Sequence, residues 1–279
     1  MSNHERETYT VTGKSFTAVA VNMAAKAGEY MKSKLGQATD VRVKTSPHDL
    51  VTEVDKGTEI LIRKIIHTYF PTHDILGEEG VEPGAEASRL ALEAVKDREY
   101  VWIVDPIDGT TNFIHGLPFY SVSIALAHRG EVIVGVVYDP SRDELFVAEK
   151  GKGAYVHGKR IQVSPEEELA GSLVATGFPT DRQHVLPLAL KQIESVAPRV
   201  RNIRAGGSAA LHLAYVAAGR LTGFWEANLN AWDIAAGMLL VQEAGGKVTD
   251  MNGEPYGLHV RDVAATNGRI HDDLIAAIR

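Results

Sequence analysis

The stretch Trp102-Ile-Val-Asp-Pro-Ile-Asp-Gly-Thr-Thr-Asn-Phe113 places two carboxylates, Asp105 and Asp108, where an apolar run gives way to turn residues. Residues 100–104 have the apolar and aromatic composition of a buried strand. Pro106 fixes φ and lacks an N–H donor, which predicts that the strand ends there, and the following Asp-Gly pair is typical of a turn. We therefore expect both carboxylates at the carboxyl end of one strand.

This turn has two interpretations. The two carboxylates and the carbonyl of Ile107 suit hard divalent cations such as Mg²⁺, and the amides of Gly109 and Thr110 can receive phosphate oxygens. Alternatively, the stretch is only a polar turn, because Asp, Pro and Gly are the usual turn residues. These residues alone leave both interpretations open.

Composition indicates a folded globular chain. The 279 residues are 44% hydrophobic, enough for one large core or two joined lobes. No window holds the roughly 20 apolar residues that a membrane span needs, and the first seven residues are polar and mixed in charge, unlike an export signal. We therefore expect a cytoplasmic protein without a membrane segment.

Charge and residue types exclude several function classes. The formal net charge is −7 and no long basic run is present, so nucleic acid is not expected as the main partner. An acidic protein that binds an anionic phosphate needs cations to invert the local field. The absence of Cys excludes disulfides, thiolate catalysis and Cys-based zinc sites, and no HExxH, GxSxG or complete dinucleotide motif occurs.

Hydrophobic periodicity divides the chain near residue 160. Before it, we predict helices, a strand ending at Glu78 and an antiparallel meander after the Asp105 turn; beyond it, strands alternate with helices. Thr52 and Asp55 form a capping-box pattern at the start of a helix. The predicted helices are 16–35, one from about 52, 87–95, 185–195, 208–218, 233–244 and one at the C-terminus. The predicted strands are 41–44, 74–77, 100–104, 120–127, 132–138, 145–148, 173–175, 200–204, 221–225, 247–249 and 263–266.

Three further stretches accompany the Asp105 turn, namely Ser46-Pro-His-Asp-Leu-Val-Thr52, Gly77-Glu78-Glu79 and the 232–246 stretch that begins Trp232-Asp233. Together the four blocks, in this order, resemble the inositol monophosphatase family of Mg²⁺-dependent phosphatases. The resemblance implies an α/β (α+β) sandwich with α-β-α-β-α layers, of the inositol monophosphatase and fructose-1,6-bisphosphatase type. It implies an N-terminal lobe, 1–160, with most metal ligands and a C-terminal lobe, 161–279, that supplies Asp233 and substrate contacts within one compact unit.

The resemblance also implies two to three Mg²⁺ ions per site. One would be held by Glu78, Asp105 and the Ile107 carbonyl, and a second by Asp105 with Asp108 and Asp233; a third, weaker ion would lie on Glu78. Inhibition by Li⁺ is expected with them. From the residues alone, Asp233 is better explained as a helix N-cap, and adjacent acids such as Glu78-Glu79 are usually a solvated corner.

By the same resemblance, Asp55 and Thr110 orient the nucleophilic water, with Glu78 as the third catalytic residue. A Thr hydroxyl can accept a proton from water only if its own proton is directed elsewhere, and a buried carboxylate is a suitable receiver. From the residues alone, Asp55 can equally be a capping residue. The implied substrate contacts are Ile107, Asp108, Gly109, Thr110, Gly207, Ser208, Ala209, Glu226 and Asp233. The implied loop residues near the metals are Lys44, Asp49 and Glu79.

The implied reaction is hydrolysis of inositol 1-phosphate to inositol and phosphate by metal-activated water, without a covalent phosphoenzyme. The alternative within enzymes is a fructose-1,6-bisphosphatase or a broad sugar phosphatase. A third possibility is a binding protein that uses the same fold without catalysis. Asn230 stands where some family members carry another residue, which leaves selectivity open. The resemblance also implies a homodimer.

Overall fold

The computed structural model describes residues 15–36, 41–44 and 50–279, and eight α-helices lie within them. They are α1 (Phe16–Lys34), α2 (Glu53–Tyr69), α3 (Ala85–Val95), α4 (Thr110–His115), α5 (Leu186–Val196), α6 (Ala209–Ala217), α7 (Ala231–Glu243) and α8 (His271–Ile278). Short 3₁₀ turns occupy Glu78–Gly80, Leu169–Gly171 and Ala197–Arg199. The helical periodicity in the sequence therefore predicted seven of these eight helices, and the short α4 was missed.

A seven-stranded sheet forms the first half of the molecule, in the order β3-β4-β5-β6-β7-β8-β9. Its strands are β3 (Asp74–Gly77), β4 (Tyr100–Asp108), β5 (Ser121–His128), β6 (Glu131–Asp139), β7 (Glu144–Glu149), β8 (Gly153–Val156) and β9 (Lys159–Arg160). Only the β3–β4 pair is parallel. The predicted antiparallel meander is confirmed. Beside this sheet, β1 (Arg42–Val43) and β2 (Leu50–Val51) form a small antiparallel pair.

A five-stranded mixed sheet forms the second half, in the order β11-β10-β12-β14-β13. Its strands are β10 (Leu173–Thr176), β11 (Asn202–Arg204), β12 (Gly223–Glu226), β13 (Lys247–Asp250) and β14 (Val263–Thr266). β10, β11 and β12 run parallel, so their carboxyl ends share one edge. That edge matters because ligands of parallel sheets bind at the carboxyl ends of strands.

The helices and sheets stack in five layers because each central strand buries both faces. In β4, Trp102 and Val104 pack with α1 and α2, whereas Val101 and Ile103 face the core that holds α6 and α7. The second sheet covers the other side of α6 and α7, and its far face packs on α5 and α8. The order is α1/α2, first sheet, α6/α7, second sheet, α5/α8, which confirms the layered α-β-α-β-α fold.

The strand before the Asp105 turn is longer than predicted. We expected it to end at Pro106, but β4 continues to Asp108. Asp105 pairs with Ser123 and Asp108 with Ser121, so two residues of β4 oppose one residue of β5. Proline lacks a ladder donor and is tolerated at such a bulge, which is why the strand bends here instead of ending.

Helix α7 begins earlier than predicted. The prediction began the helix at Asp233 and allowed that residue the N-cap role, but the first helical residue is Ala231 and the N-cap is Asn230. Asp233 is therefore the third residue of the helix, and its carboxylate accepts a hydrogen bond from the N–H of Asn230 at 2.6 Å. The remaining predicted elements agree to within about three residues at each end. At the start of α2, the predicted capping box between Thr52 and Asp55 is confirmed.

None of the helices in the described ranges combines the length and apolar character that crossing a bilayer requires.

Candidate active site

The Asp105 turn lies where β4 runs into α4. Gly109, between them, has a φ of +100°, a left-handed value that glycine adopts without a steric cost. A Cβ at this position would lie 3.1 Å from the carbonyl oxygens of both Gly207 and Phe119. The turn therefore packs closely, backbone against backbone, on the 206–208 segment of the second half of the chain.

Four carboxylates converge beside this turn, those of Glu78, Asp105, Asp108 and Asp233. Asp105 is 2% exposed, and its carboxyl lies within hydrogen-bonding reach of both Glu78 and Asp233. Burial raises the pKa of Asp105 and of Asp233 well above the ordinary value, and the neighbouring carboxylates raise both further. Negative charge that is buried and shared in this way needs a cation to offset it.

Asp108 has partners from the second half of the chain. Its carboxylate accepts hydrogen bonds from the Ser208 hydroxyl at 2.6 Å and from the backbone N–H of Ala210 at 2.7 Å, with Ala209 N at 3.3 Å. Burial raises the pKa of Asp108 to about 6, even though these hydrogen bonds lower it. Asp108 therefore caps the first turn of α6, which is a stabilising place for a negative charge.

Lys44 lies at the edge of the cluster. Its Nζ is 2.9 Å from Glu78 Oε1 and 2.5 Å from Glu79 Oε1. Burial lowers the pKa of Lys44, but the two carboxylates outweigh burial and raise it above its ordinary value. Burial raises the pKa of Glu79 to about 7, against the opposite effect of Lys44. Lys44 therefore offsets the Glu78-Glu79 pair rather than the three Asp side chains.

The four carboxylates are close together without forming a closed ligand set. Within residues 15–36, 41–44 and 50–279, no three His, Asp or Glu side chains are already arranged around a point that an ion could occupy. Two of the carboxylates have other partners: Glu78 pairs with Lys44, and Asp108 accepts hydrogen bonds from the amides of α6. Both contacts involve side-chain ends, which can turn without a change of fold.

Thr110 and Asp55 form a hydrogen-bonded pair next to the turn. The Thr110 hydroxyl lies 2.9 Å from Asp55 Oδ1 and 3.0 Å from the Ile107 carbonyl oxygen, so its proton has two acceptors. The other Asp55 oxygen accepts from the N–H and hydroxyl of Thr52 at 2.8 and 2.6 Å. Burial raises the pKa of Asp55, while the Thr52 hydroxyl lowers it. Asp55 therefore serves as both the capping residue and the acceptor of the Thr110 proton.

The loop between β12 and α7 is held by Arg261. Its guanidinium donates to Asn230 Oδ1 at 2.6 Å and to Asn228 Oδ1 at 2.8 Å. Glu226 ends β12 immediately before this loop, and Asp233 lies just after it. Arg261 therefore fixes the segment that sets the separation of Glu226 and Asp233.

A cleft of about 770 Å³ opens beside the carboxylates. Its lining includes the 178–184 segment and the side chains Lys44, Glu78, Glu226 and Asp233. Burial raises the pKa of Glu226 to about 8, and Asp108 and Asp233 raise it as well. The cleft therefore presents carboxylates to whatever occupies it.

The structure brings most of the predicted site residues to one place. The residues around the turn include those predicted to be catalytic or metal-binding, namely Asp55, Glu78, Asp105, Ile107, Asp108, Thr110 and Asp233, together with Gly109, Lys44 and Glu79. Ser208 and Ala209 donate to Asp108, and neither they nor Gly207 is among the residues that line the cleft. Asp49, also predicted here, lies outside the described residues.

Sequence reasoning missed four supporting residues, and Arg261 is one of them. Asn112 donates from Nδ2 to the carbonyls of Phe119 and Gly206 at 2.6 and 2.7 Å, and His212 Nε2 accepts the Gly206 N–H at 3.0 Å. Burial lowers the pKa of His212 to about 4, so the ring is neutral at pH 7. Glu59 accepts the Glu79 N–H at 2.8 Å. Of these residues, only Asn112 lies in a stretch that the sequence marks as functional, residues 102–113.

The model of the inositol monophosphatase family matches residues 13–279. The chain belongs to this family. Membership makes it a phosphatase of a generally metal-dependent family. It is 43% identical over 267 residues to inositol monophosphatase 2 of Solanum lycopersicum, over 95% of this chain and 98% of that protein. It is also 40% identical to Nus factor SuhB of Pasteurella multocida strain Pm70, over 94% of each chain. A crystal structure of the extragenic suppressor protein suhB from Bartonella henselae matches with a TM-score of 0.84 at 40% identity, over 94% of this chain and 97% of that one.

The donor set of this chain fits hard divalent cations. Four carboxylates and the Ile107 carbonyl supply only oxygen ligands, and the chain contains no Cys. Burial first, and the charge of neighbouring carboxylates second, raise the pKa values of the three Asp carboxyls, and a bound cation would offset both effects.

Proposed function

We propose that this phosphatase hydrolyses inositol 1-phosphate to inositol and phosphate, with Mg²⁺ as its cofactor. One observation carries the proposal: a cluster of buried carboxyl groups lies beside a Thr hydroxyl whose proton is directed to the Asp55 carboxylate or the Ile107 carbonyl. Oxygen-only donors favour Mg²⁺ over zinc. The name of the Solanum relative supports an inositol ester as the substrate.

Two to three ions per site agree with the residues present. Glu78, Asp105 and the Ile107 carbonyl would hold one ion, and Asp105, Asp108 and Asp233 a second; a weaker third ion would lie on Glu78. When bound, such ions lower the pKa of a water molecule and stabilise charge on phosphoryl oxygens. Lys44 and Asp108 would exchange their present contacts for this arrangement, and Li⁺ would inhibit by competing for it.

Thr110 and Asp55 orient the attacking water. Because Thr110 donates its own proton to Asp55 or to the Ile107 carbonyl, its oxygen accepts a hydrogen bond from the water. The water oxygen forms a bond to phosphorus as the ester P–O bond breaks, and the water proton passes through Thr110 to the Asp55 carboxylate. The leaving alkoxide takes a proton from a solvent water molecule and departs as the alcohol, so no covalent phosphoenzyme forms.

The remaining predicted residues would bind the substrate. The amides of Gly109 and Thr110 receive phosphate oxygens, and Glu226 accepts hydrogen bonds from inositol hydroxyls. Gly207, Ser208 and Ala209 adjoin the site through Asp108. We also propose that residues 1–160 and 161–279 are two lobes of one compact unit. The protein would be a homodimer in the cytoplasm. Asp49 would be a loop residue near the metals.

The test is phosphate release by the purified protein from inositol 1-phosphate, with Mg²⁺ and with EDTA. We expect release only with Mg²⁺, and inhibition when LiCl is added. Release that is equal in EDTA would contradict the metal assignment, and no release from this ester or any other would contradict the function.

A second candidate substrate is fructose 1,6-bisphosphate. The cleft volume of about 770 Å³ exceeds what one inositol phosphate fills, and Arg182 is among its lining residues, where it could meet a second phosphate. Faster turnover of the bisphosphate than of inositol 1-phosphate in the same assay would favour this candidate.

A further inference from the structure

Gly177 and Glu226 lie side by side at the carboxyl ends of two adjacent parallel strands. β10 and β12 pair in parallel with Thr176 opposite Trp225, so the next residue of each strand comes at the same edge. Glu226 lines the cleft there, and so does the 178–184 segment that follows Gly177. This is the edge at which parallel sheets bind ligands.

The Glu226 carboxyl occupies the space where a side chain at Gly177 would be. A Cβ built on Gly177 would lie closer than 3.0 Å to all three atoms of that carboxyl group. Gly177 is buried and is not among the described residues with positive φ, so its backbone conformation is open to any residue. The glycine is therefore needed for the space it leaves and not for its dihedral angles.

Gly135 shows the contrasting, structural use of a glycine. A Cβ on Gly135 would lie 2.6 Å from the backbone carbonyl oxygen of Ala236 in α7, which cannot move without shifting the helix. At Gly177 the obstacle is the end of a flexible side chain, which can rotate away. A methyl group at 177 is therefore expected to displace the Glu226 carboxyl and leave the fold intact.

We infer that Gly177 is a specificity-determining residue, because its missing side chain sets where the Glu226 carboxyl lies over the cleft. The inference rests on the proposed function of Glu226 as the acceptor of substrate hydroxyls. Displaced by a methyl group, the carboxyl no longer meets those hydroxyls. Esters without ring hydroxyls have no such contact to lose. Gly177 thus selects polyol esters over simple phosphate esters.

The experiment compares kcat/KM for inositol 1-phosphate and for p-nitrophenyl phosphate, which has no hydroxyls, in the Mg²⁺-loaded enzyme. We expect Gly177→Ala to lower the ratio of the two values at least about tenfold, mainly through KM for the inositol ester. In a Glu226→Ala background the same change should leave the ratio as it is, because no carboxyl remains to be displaced. Glu226→Asp, shorter by one methylene, should restore part of the ratio in the Gly177→Ala protein.

Thermal unfolding separates this role from packing. Gly135→Ala should lower Tm by several degrees, whereas Gly177→Ala should leave it within about two degrees of wild type. A Gly177→Ala protein with an unchanged ratio, or with a Tm as low as that of Gly135→Ala, would overturn the inference alone. A wild-type enzyme that released phosphate from neither ester would overturn the proposed function and this inference together.

Discussion

Two Asp-Pro pairs lie in the first sheet on either side of β5, and they serve different purposes. Asp105-Pro106 lies near the end of β4 and Asp139-Pro140 at the end of β6, and both Asp side chains are buried, with 2% and 0% of their surface exposed. The same dipeptide follows an apolar strand in both places, so the local sequence does not distinguish them.

Their partners distinguish them. Asp139 Oδ1 accepts from the N–H groups of Ser141 and Arg142 at 2.8 and 3.1 Å, and its Oδ2 accepts from the Arg142 guanidinium at 2.8 Å. Asp105 accepts one backbone hydrogen bond, from Ile107 N at 3.0 Å, and otherwise faces carboxylates. A buried carboxylate whose donors come from its own turn stabilises the fold, whereas one surrounded by other carboxylates stores unfavourable charge for a ligand to offset.

The largest expected difference is in catalysis. Asp105→Asn removes the charge that the two proposed ion sites share, so we expect kcat/KM for inositol 1-phosphate to fall at least about a thousandfold, equivalent to about 4 kcal/mol. Asp139→Asn is the matched control and should remain within a few-fold of wild type. Phosphate release under saturating Mg²⁺ measures both variants. Comparable rates in the two would show that Asp105 and Asp139 do not differ in their importance for catalysis.

Within the site, the Thr110 hydroxyl is expected to act on kcat. Thr110→Val keeps the side-chain shape but cannot orient a water, so we expect kcat to fall roughly a hundredfold with little change in the Mg²⁺ concentration for half-activity. Thr111→Val, at the exposed neighbouring position, controls for substitution in α4. A Thr110→Val enzyme with wild-type kcat would show that water is oriented by other groups.

Asp139 is expected to affect stability and not catalysis. Asp139→Ala leaves the Arg142 guanidinium and two backbone N–H groups without their acceptor, so the free energy of unfolding should fall by about 2 to 3 kcal/mol. The specific activity of the folded protein should be preserved. Urea unfolding followed by circular dichroism tests this, and an unchanged midpoint would show that water replaces these contacts at no cost.

A smaller but more diagnostic effect is the dependence of the free energy of unfolding on pH in the metal-free protein. The pKa values of Asp105, Asp108 and Asp233 are raised above the ordinary 3.8, that of Asp108 to about 6. The folded state therefore binds more protons than the unfolded chain in this range, and stability falls as pH rises from about 4 to about 6.

Asp105→Asn removes one of the repelling charges and one of the titrating groups, so the free energy of unfolding should fall less as pH rises than in the wild type. Asp139→Asn should leave the change of the unfolding free energy with pH as it is in the wild type. Urea titrations in EDTA at several pH values between 4 and 7 measure it. Identical slopes in wild type and Asp105→Asn would mean that the three carboxyls do not oppose one another in solution.

Much of the fold could be predicted from hydrophobic periodicity, because alternation along β5 and β6 and the helical spacing in α1 and α2 are local properties of the chain. The strand extension past Pro106 could not, since a bulge depends on how the neighbouring strand pairs. The start of α7 was misplaced because Asp is favoured at an N-cap as well as in the first turn, where Asp233 lies.

For the site, the four blocks of the family predicted the carboxylates but not what holds them. Asp139 and Arg142 are three residues apart, a spacing that can be read from sequence. By contrast, Asn112 reaches Gly206 across 94 residues, and Ser208 reaches Asp108 across 100. Partners brought together only by folding leave no pattern in one sequence, which is why these two contacts could not be predicted.

The most direct measurement is anomalous diffraction from crystals of the wild-type protein and of Asp105→Asn, both soaked in Mn²⁺ as a substitute for Mg²⁺. We predict strong anomalous peaks in the wild type, bounded by Glu78, Asp105, Asp108 and Asp233, and their loss in the variant. Wild-type crystals with no peak among these four carboxylates would contradict the assignment of the Asp105 turn as a metal centre.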